Sequence, residues 1–309
     1  MITAARTTPW TPDSIPDQTG RTALITGANS GIGWETARRL AARGARVILA
    51  GRSSTNLEQA ASALLREDPA ARLETLVLDL GDLDSIAKAA APLATAGRLD
   101  LLINNAGVMN VPERRTTSDG FELTVGTNHL GHFALTAHLM PALERSPAAR
   151  IVTVSAIAAR WRSAALTDLM SEDRYRPMAA YAKSKRANIV FTQELARRLE
   201  GSQIEALVVH PGASRTNLQR HGQGLLLRQI SKLLERVAMG PVEGAAWPSL
   251  FAATDPSAGN GEFVGPASFS RQTSGTPKPT ALPSGADDPA EGARLWATSE
   301  RLTGVTFTL

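Results

Sequence analysis

The sequence predicts an α/β protein: a doubly wound, mostly parallel sheet of about seven strands in a single domain, with helices on both faces. Two observations predict it. Short apolar runs recur along the chain with longer helical patterns between them, the order of a sheet whose strands are joined by crossover helices. The runs are near-continuously apolar, as strands covered on both faces are.

The runs fall at 22–26, 46–50, 73–78, 99–104, 150–154, 204–210 and 262–264. Helical spacing covers 35–43, 56–67, 83–94, 120–144, 179–199 and 241–253. Ligands of such a sheet bind beyond the carboxyl ends of its strands. Residues 1–20 hold three prolines and read as an arm, and 21–266 form the sheet domain. Residues 267–309 open rich in Pro, Ser, Thr and Gly and read as an irregular extension packed on the same domain, with a final helix near 290–302.

With 309 residues, 43% of them hydrophobic, the chain can bury one large core. It has no cysteine, which excludes disulfides, thiolate metal sites and a thiol nucleophile. Its net charge of +4 is spread over interspersed Arg, Asp and Glu with only five Lys, which argues against nucleic-acid binding. His129 and His132 are three apart on a helical stretch, but no third ligand stands at metal-binding spacing, so no metal is expected. No apolar run approaches the roughly 18 residues of a membrane span, and the N-terminus lacks a basic stretch followed by an apolar one. A soluble, cytoplasmic protein without stable membrane insertion is the expectation.

The first apolar run leads into Thr26-Gly27-Ala28-Asn29-Ser30-Gly31-Ile32-Gly33, followed by an amphipathic stretch. Strand, glycine turn and helix in that order form a nucleotide site: glycines let the backbone approach a pyrophosphate, which sits over the free N–H groups of the helix. Taken alone, the turn has a structural reading as the lesser alternative. A second pattern is Tyr181-Ala182-Lys183-Ser184-Lys185, which sets a phenol and an ammonium four residues apart on one helix face. A cation beside a phenol favours the phenolate, so the pair suggests a tyrosine tuned downward for proton transfer.

With Asn104-Asn105-Ala106-Gly107 and His210-Pro211-Gly212 at matching places, these motifs resemble the short-chain dehydrogenase/reductase family over about residues 22–265. The stretch from Ala180 to Phe191 and the later Thr216 are similar to its retinol-dehydrogenase-like branch. The resemblance implies a Rossmann-like, dinucleotide-binding fold and hydride transfer between a nicotinamide and a carbonyl or alcohol carbon, with Tyr181 handling the proton. It implies that Lys185 lowers the Tyr181 pKa and holds the nicotinamide ribose, and that Asn128 holds a water leading to Lys185. Gly27, Asn29, Ser30, Gly31, Ile32 and Gly33 would border the pyrophosphate, Asp79 and Leu80 the adenine, and Asn105, Ala106, Gly107, Pro211, Gly212 and Thr216 the rest of the cofactor. The long helices with Asn128 and Tyr181 are the family's usual contact surfaces, implying a homodimer or homotetramer.

The second strand run ends in Ala50-Gly51-Arg52-Ser53, with no carboxylate to bind ribose hydroxyls and repel a 2′-phosphate. Arg52 and Ser53 offer a cation and donors to a phosphate, so the cofactor reads as NADP(H).

One family member is missing from its place. Relatives carry two serines at the end of the fifth strand, the second being catalytic, whereas this chain has Ser155-Ala156. Side chains alternate along a strand, so Ser155 should face away from where a residue at 156 points. Three explanations stand open: a one-residue shift presents Ser155; the enzyme is slow or uses another donor such as Ser163; or position 156 carries an introduced Ser-to-Ala replacement. A rival reading is a catalytically weak NADP(H)-binding sensor or scaffold. A sugar-nucleotide epimerase fits less well, for no second domain is evident.

The 25 residues between Ser155 and Tyr181 hold Trp161, Leu166, Leu169, Met170 and Met178 among arginines. Such an insert suits an apolar small-molecule alcohol, aldehyde or ketone, or plain surface packing. The helical apolar stretch 225–234 is a second candidate lid.

Overall fold

The structure, a computed structural model, describes residues 9–212, 242–267 and 276–309. Element labels run over these residues. Eight strands form one sheet in the order β3-β2-β1-β4-β5-β6-β7-β8. They are β1 (Thr22–Thr26), β2 (Arg46–Gly51), β3 (Arg72–Val77), β4 (Leu101–Asn104), β5 (Ala149–Val154), β6 (Ile204–Val209), β7 (Phe263–Pro266) and β8 (Pro277–Pro279). The first seven are parallel and β8 is antiparallel to β7.

Alternation along the strands divides the core in two. Ala23, Ile25, Val47, Leu49, Leu101 and Ile103 pack under α1 (Gly31–Ala41), α2 (Ser54–Glu67) and α7 (Val242–Thr254). Leu24, Ile48, Leu102, Ile151 and Val208 point the other way, under α3 (Leu83–Ala96), α5 (Gly131–Glu144), α6 (Pro177–Arg198) and α8 (Pro289–Thr303). Both faces of the central strands are therefore dry, which is why their sequences are continuously apolar. The arm joins the first face through Trp10, edge-on to Trp247 and Phe251.

Two elements differ from expectation. The segment 267–309 contributes β8, two of whose three residues are proline, a composition tolerated only at a sheet edge. The long helix expected over 120–144 is divided into one turn, α4 (Leu123–Val125), a π-turn (Gly126–Leu130) and α5. α8 packs across α6, its Trp296 lying among Phe133, Phe191 and Phe307, with the Arg198 guanidinium 4.1 Å from the Trp296 ring centre.

Candidate active site

The strand order reverses between β1 and β4, and a cleft of about 630 Å³ opens beyond their carboxyl ends. The glycine turn forms one wall. Gly27 sits at φ 68°, and a Cβ there would lie 3.0 Å from Ala106 Cα. A Cβ on Gly33 would stand 2.6 Å from the Gly27 carbonyl, so α1 can start this close to β1 only without one. Ser30, at the N-cap of α1, makes no side-chain cap bond, and the first turn carries no acidic residue. Asn29, Ser30, Gly31, Ile32 and Gly33 line the cleft. An eleven-residue helix with uncapped N–H groups at a cavity wall fits a pyrophosphate.

Farther along, Gly51 and Arg52 line the cleft at the end of β2, where no carboxylate stands. Among the described residues the Arg52 guanidinium has no hydrogen bond or ion pair. Ser53 does not line the cleft; it caps α2, accepting from Asn56 N–H at 3.3 Å. Asp79 and Leu80 border the same region, Asp79 Oδ1 accepting from Gly81 N–H at 2.9 Å. Asn105, Ala106, Gly107, Pro211 and Gly212 complete the lining on the β4 and β6 side. Thr216 and the stretch 225–234 lie outside the described residues.

The other end of the cleft belongs to α6. Lys185 Nζ lies 5.9 Å from the Tyr181 ring centre and donates to the Val154 carbonyl at 2.9 Å. Burial raises the Tyr181 phenol above its usual range and lowers Lys185 to about 8. This differs from the downward shift that the spacing suggests: the ammonium sits over the ring and bonds to a carbonyl, so loss of hydration dominates at the phenol.

Asn128 lies in the π-turn, fully buried and off the cleft surface. Its Oδ1 accepts from Val108 N–H at 2.7 Å, and its Nδ2 donates to Val108 O and to Ser184 Oγ, both at 2.9 Å. A Cβ on Gly107 would lie 3.0 Å from Asn128 Oδ1 and 3.5 Å from Lys185 Nζ, so the three are close neighbours.

At the end of β5 the alternation has a chemical result. The Ser155 hydroxyl donates to the Lys185 carbonyl at 2.7 Å, which commits its only proton. Ser155 nonetheless stands among the residues that line the cleft. Ala156 also lines the cleft and, like Met109 and Met178, packs against the small apolar cluster of Ala158, Ala164, Tyr181 and Ala182. The Ser163 side chain lies outside the described residues.

Met109, Ile157, Met178 and Trp161 form an apolar rim beside Tyr181, with Trp161 45% exposed. The segment carrying Trp161 is tied down: Lys183 donates to the Asp168 carbonyl and lies 3.3 Å from Ser171 Oγ, and Tyr175 OH donates to Val111 O at 2.7 Å. Sequence reasoning did not assign Thr127, Leu78 or the Thr26 hydroxyl to the site. Thr26 stands in the quoted glycine turn, but only the fold shows that its hydroxyl meets the end of β4.

A model of the short chain dehydrogenase family matches residues 21–223. Human "Retinol dehydrogenase 14" is 40% identical over 302 residues, covering 93% of this chain and 87% of that protein. Human "Retinol dehydrogenase 12" is 47% identical over 209 residues, covering 67% of this chain and 66% of that protein. A crystal structure from Mycobacterium paratuberculosis is 41% identical and superposes with a TM-score of 0.80, covering 98% of this chain and all of that one. A short chain dehydrogenase from Burkholderia cenocepacia in complex with NADP is 26% identical with a TM-score of 0.63, covering 81% of this chain and 97% of that one. The glycine cradle, the Tyr181–Lys185 pair and these likenesses agree: the chain belongs to the short-chain dehydrogenase/reductase family and is an oxidoreductase similar to the retinol dehydrogenases.

Proposed function

We propose that the protein is an NADP(H)-dependent oxidoreductase acting on the carbonyl or alcohol carbon of an apolar small molecule. The observation that carries this reading is that one cleft joins the uncapped N-terminus of α1, Arg52, which is unpaired among the described residues, and the buried Tyr181–Lys185 pair beside an apolar rim. The NADP complex of the Burkholderia relative supports the choice of cofactor. When bound, NADPH supplies hydride to the carbonyl carbon.

The chain's own residues do the rest. The N–H groups of α1 and the glycine turn hold the pyrophosphate, and Arg52 pairs with the 2′-phosphate. Tyr181, kept neutral by burial, gives its proton to the carbonyl oxygen, and in the reverse direction accepts it. Of the three Lys185 donors Val154 takes one, leaving two for the cleft side. Ser155 acts through its bond to the Lys185 carbonyl, holding α6 against β5, rather than on the substrate. A homodimer or homotetramer is part of this reading, and the mass in solution tests it.

The test is NADPH oxidation with a panel of apolar aldehydes and ketones. Turnover that increases with chain length supports the reading. NADPH binding without turnover, in this protein and in Ala156→Ser alike, replaces it with the sensor or scaffold, which the missing hydroxyl at 156 favours.

A further inference from the structure

We propose that His132 is a positioning residue that locks the glycine turn to the π-turn carrying Asn128, through a single neutral tautomer. The ring is buried, 1% exposed, on the first turn of α5. Both of its nitrogens are engaged. Nδ1 lies 3.0 Å from the Asn128 carbonyl and Nε2 lies 2.9 Å from Thr26 Oγ1.

The tautomer follows from the partners. A backbone carbonyl only accepts, so Nδ1 carries the proton. Thr26 Oγ1 already accepts from Asn105 N–H and Ala106 N–H, each at 2.9 Å, which occupies both of its lone pairs. Its own proton must go to an acceptor. The Ile103 carbonyl is at 3.4 Å, so the Nε2 lone pair at 2.9 Å takes it. Burial pushes the imidazole down to about 4, with the Lys185 cation acting in the same direction, so the ring stays neutral at pH 7.

One ring thus links three segments that border the cleft. Toward β1 and β4 it fixes Thr26, and with it the start of the glycine turn and of Asn105-Ala106-Gly107. Toward the π-turn it holds the Asn128 carbonyl, while the Asn128 amide clamps Val108 and Ser184, the neighbour of Lys185. The cofactor side and the proton-transfer side are coupled here. A buried donor–acceptor group in such a chain rigidifies only while every bond is satisfied.

Two isosteric substitutions separate the two bonds. Asn places its amide N–H near Nδ1, and Gln places its carbonyl near Nε2. His132→Asn keeps the Asn128 link and loses Thr26, so its NADPH Kd rises about tenfold, the loss expected for one buried hydrogen bond, while kcat stays within about twofold. His132→Gln keeps Thr26 and loses Asn128, so kcat falls about tenfold while Kd stays within about twofold. A ring that merely fills space would change both quantities together or neither, and either pattern overturns the proposal. The kinetic half rests on the oxidoreductase reading, so nitrogen-15 NMR of histidine-labelled protein reads the tautomer independently. A neutral Nδ1–H form supports the lock; the Nε2–H form or an imidazolium at pH 7 removes it. If no variant, nor the parent, turns over any substrate, the functional reading falls, and the tautomer and NADPH affinity still decide the role of His132.

Discussion

At the end of β5 a single side chain decides what the cleft can donate. The Ala156 side chain offers the cleft no hydrogen-bond donor, and the adjacent Ser155 hydroxyl is already spent on Lys185 O. Supplying a donor should restore about 2.7–4 kcal/mol of transition-state stabilisation, so Ala156→Ser is expected to raise kcat by roughly a hundredfold or more; equal rates with NADPH and a good carbonyl substrate would remove this account. At the far end of the cleft, Arg52→Ala should weaken NADPH roughly tenfold or more and leave NADH nearly unchanged, as befits one charge-assisted pair. Titrations with the two cofactors check it, and parallel losses would show that Arg52 does not meet the 2′-phosphate. Both residues were legible in the sequence, because each is defined by its place at a strand end. His132 was not: the sequence shows it only as a histidine three residues from His129, a spacing that raises the question of a metal. Its partners, Thr26 and the Asn128 carbonyl, come together only when β1, β4 and α5 are packed.

At the level of elements, the apolar runs located seven strands because the central ones are covered on both faces and leave no polar alternation to mislead. β8 was hidden, since two of its three residues are proline and proline signals a turn. The π-turn was hidden for another reason: no residue preference distinguishes a bond to the fifth residue from one to the fourth, so the helix at 120–144 reads as continuous. Such turns often sit at functional sites, and this one delivers Asn128. The final helix was legible, but not its burial. Trp296 is 2% exposed and packed among three phenylalanines under the Arg198 guanidinium, so α8 is part of the core. Trp296→Ala is expected to cost about 3–5 kcal/mol and to lower Tm by several degrees, while NADPH affinity changes little. Thermal unfolding checks this, and an unchanged Tm would mean that α8 is only docked.

For the whole molecule, buried histidines contribute to the loss of stability in acid. Burial pushes His129 to about 3 and His132 and His210 to about 4, the second cause being His132 for His129 and Arg160 for His210. In the unfolded chain these rings titrate near 6.5, so between 6.5 and 4 the unfolded state binds more protons. Stability therefore falls as pH drops through that window. Urea midpoints at pH 7 and pH 4.5 test it; equal midpoints would show that the rings are hydrated. Lys185, lowered to about 8 from 10.5, acts at the other end: its buried ammonium is relieved as pH rises from 8 to 10.5, and stability rises there. The prolines of β8 bear on a different hazard. Thr280 N–H and Thr276 O face β7, so Pro277 and Pro279, of opposite parity, turn their nitrogens outward. Neither nitrogen carries a hydrogen. Among the described residues the sheet thus ends in a margin that has no amide donor at these two positions, and a strand from another molecule seeking to extend it finds carbonyls but nothing to donate to its own, which protects this edge from cross-β aggregation.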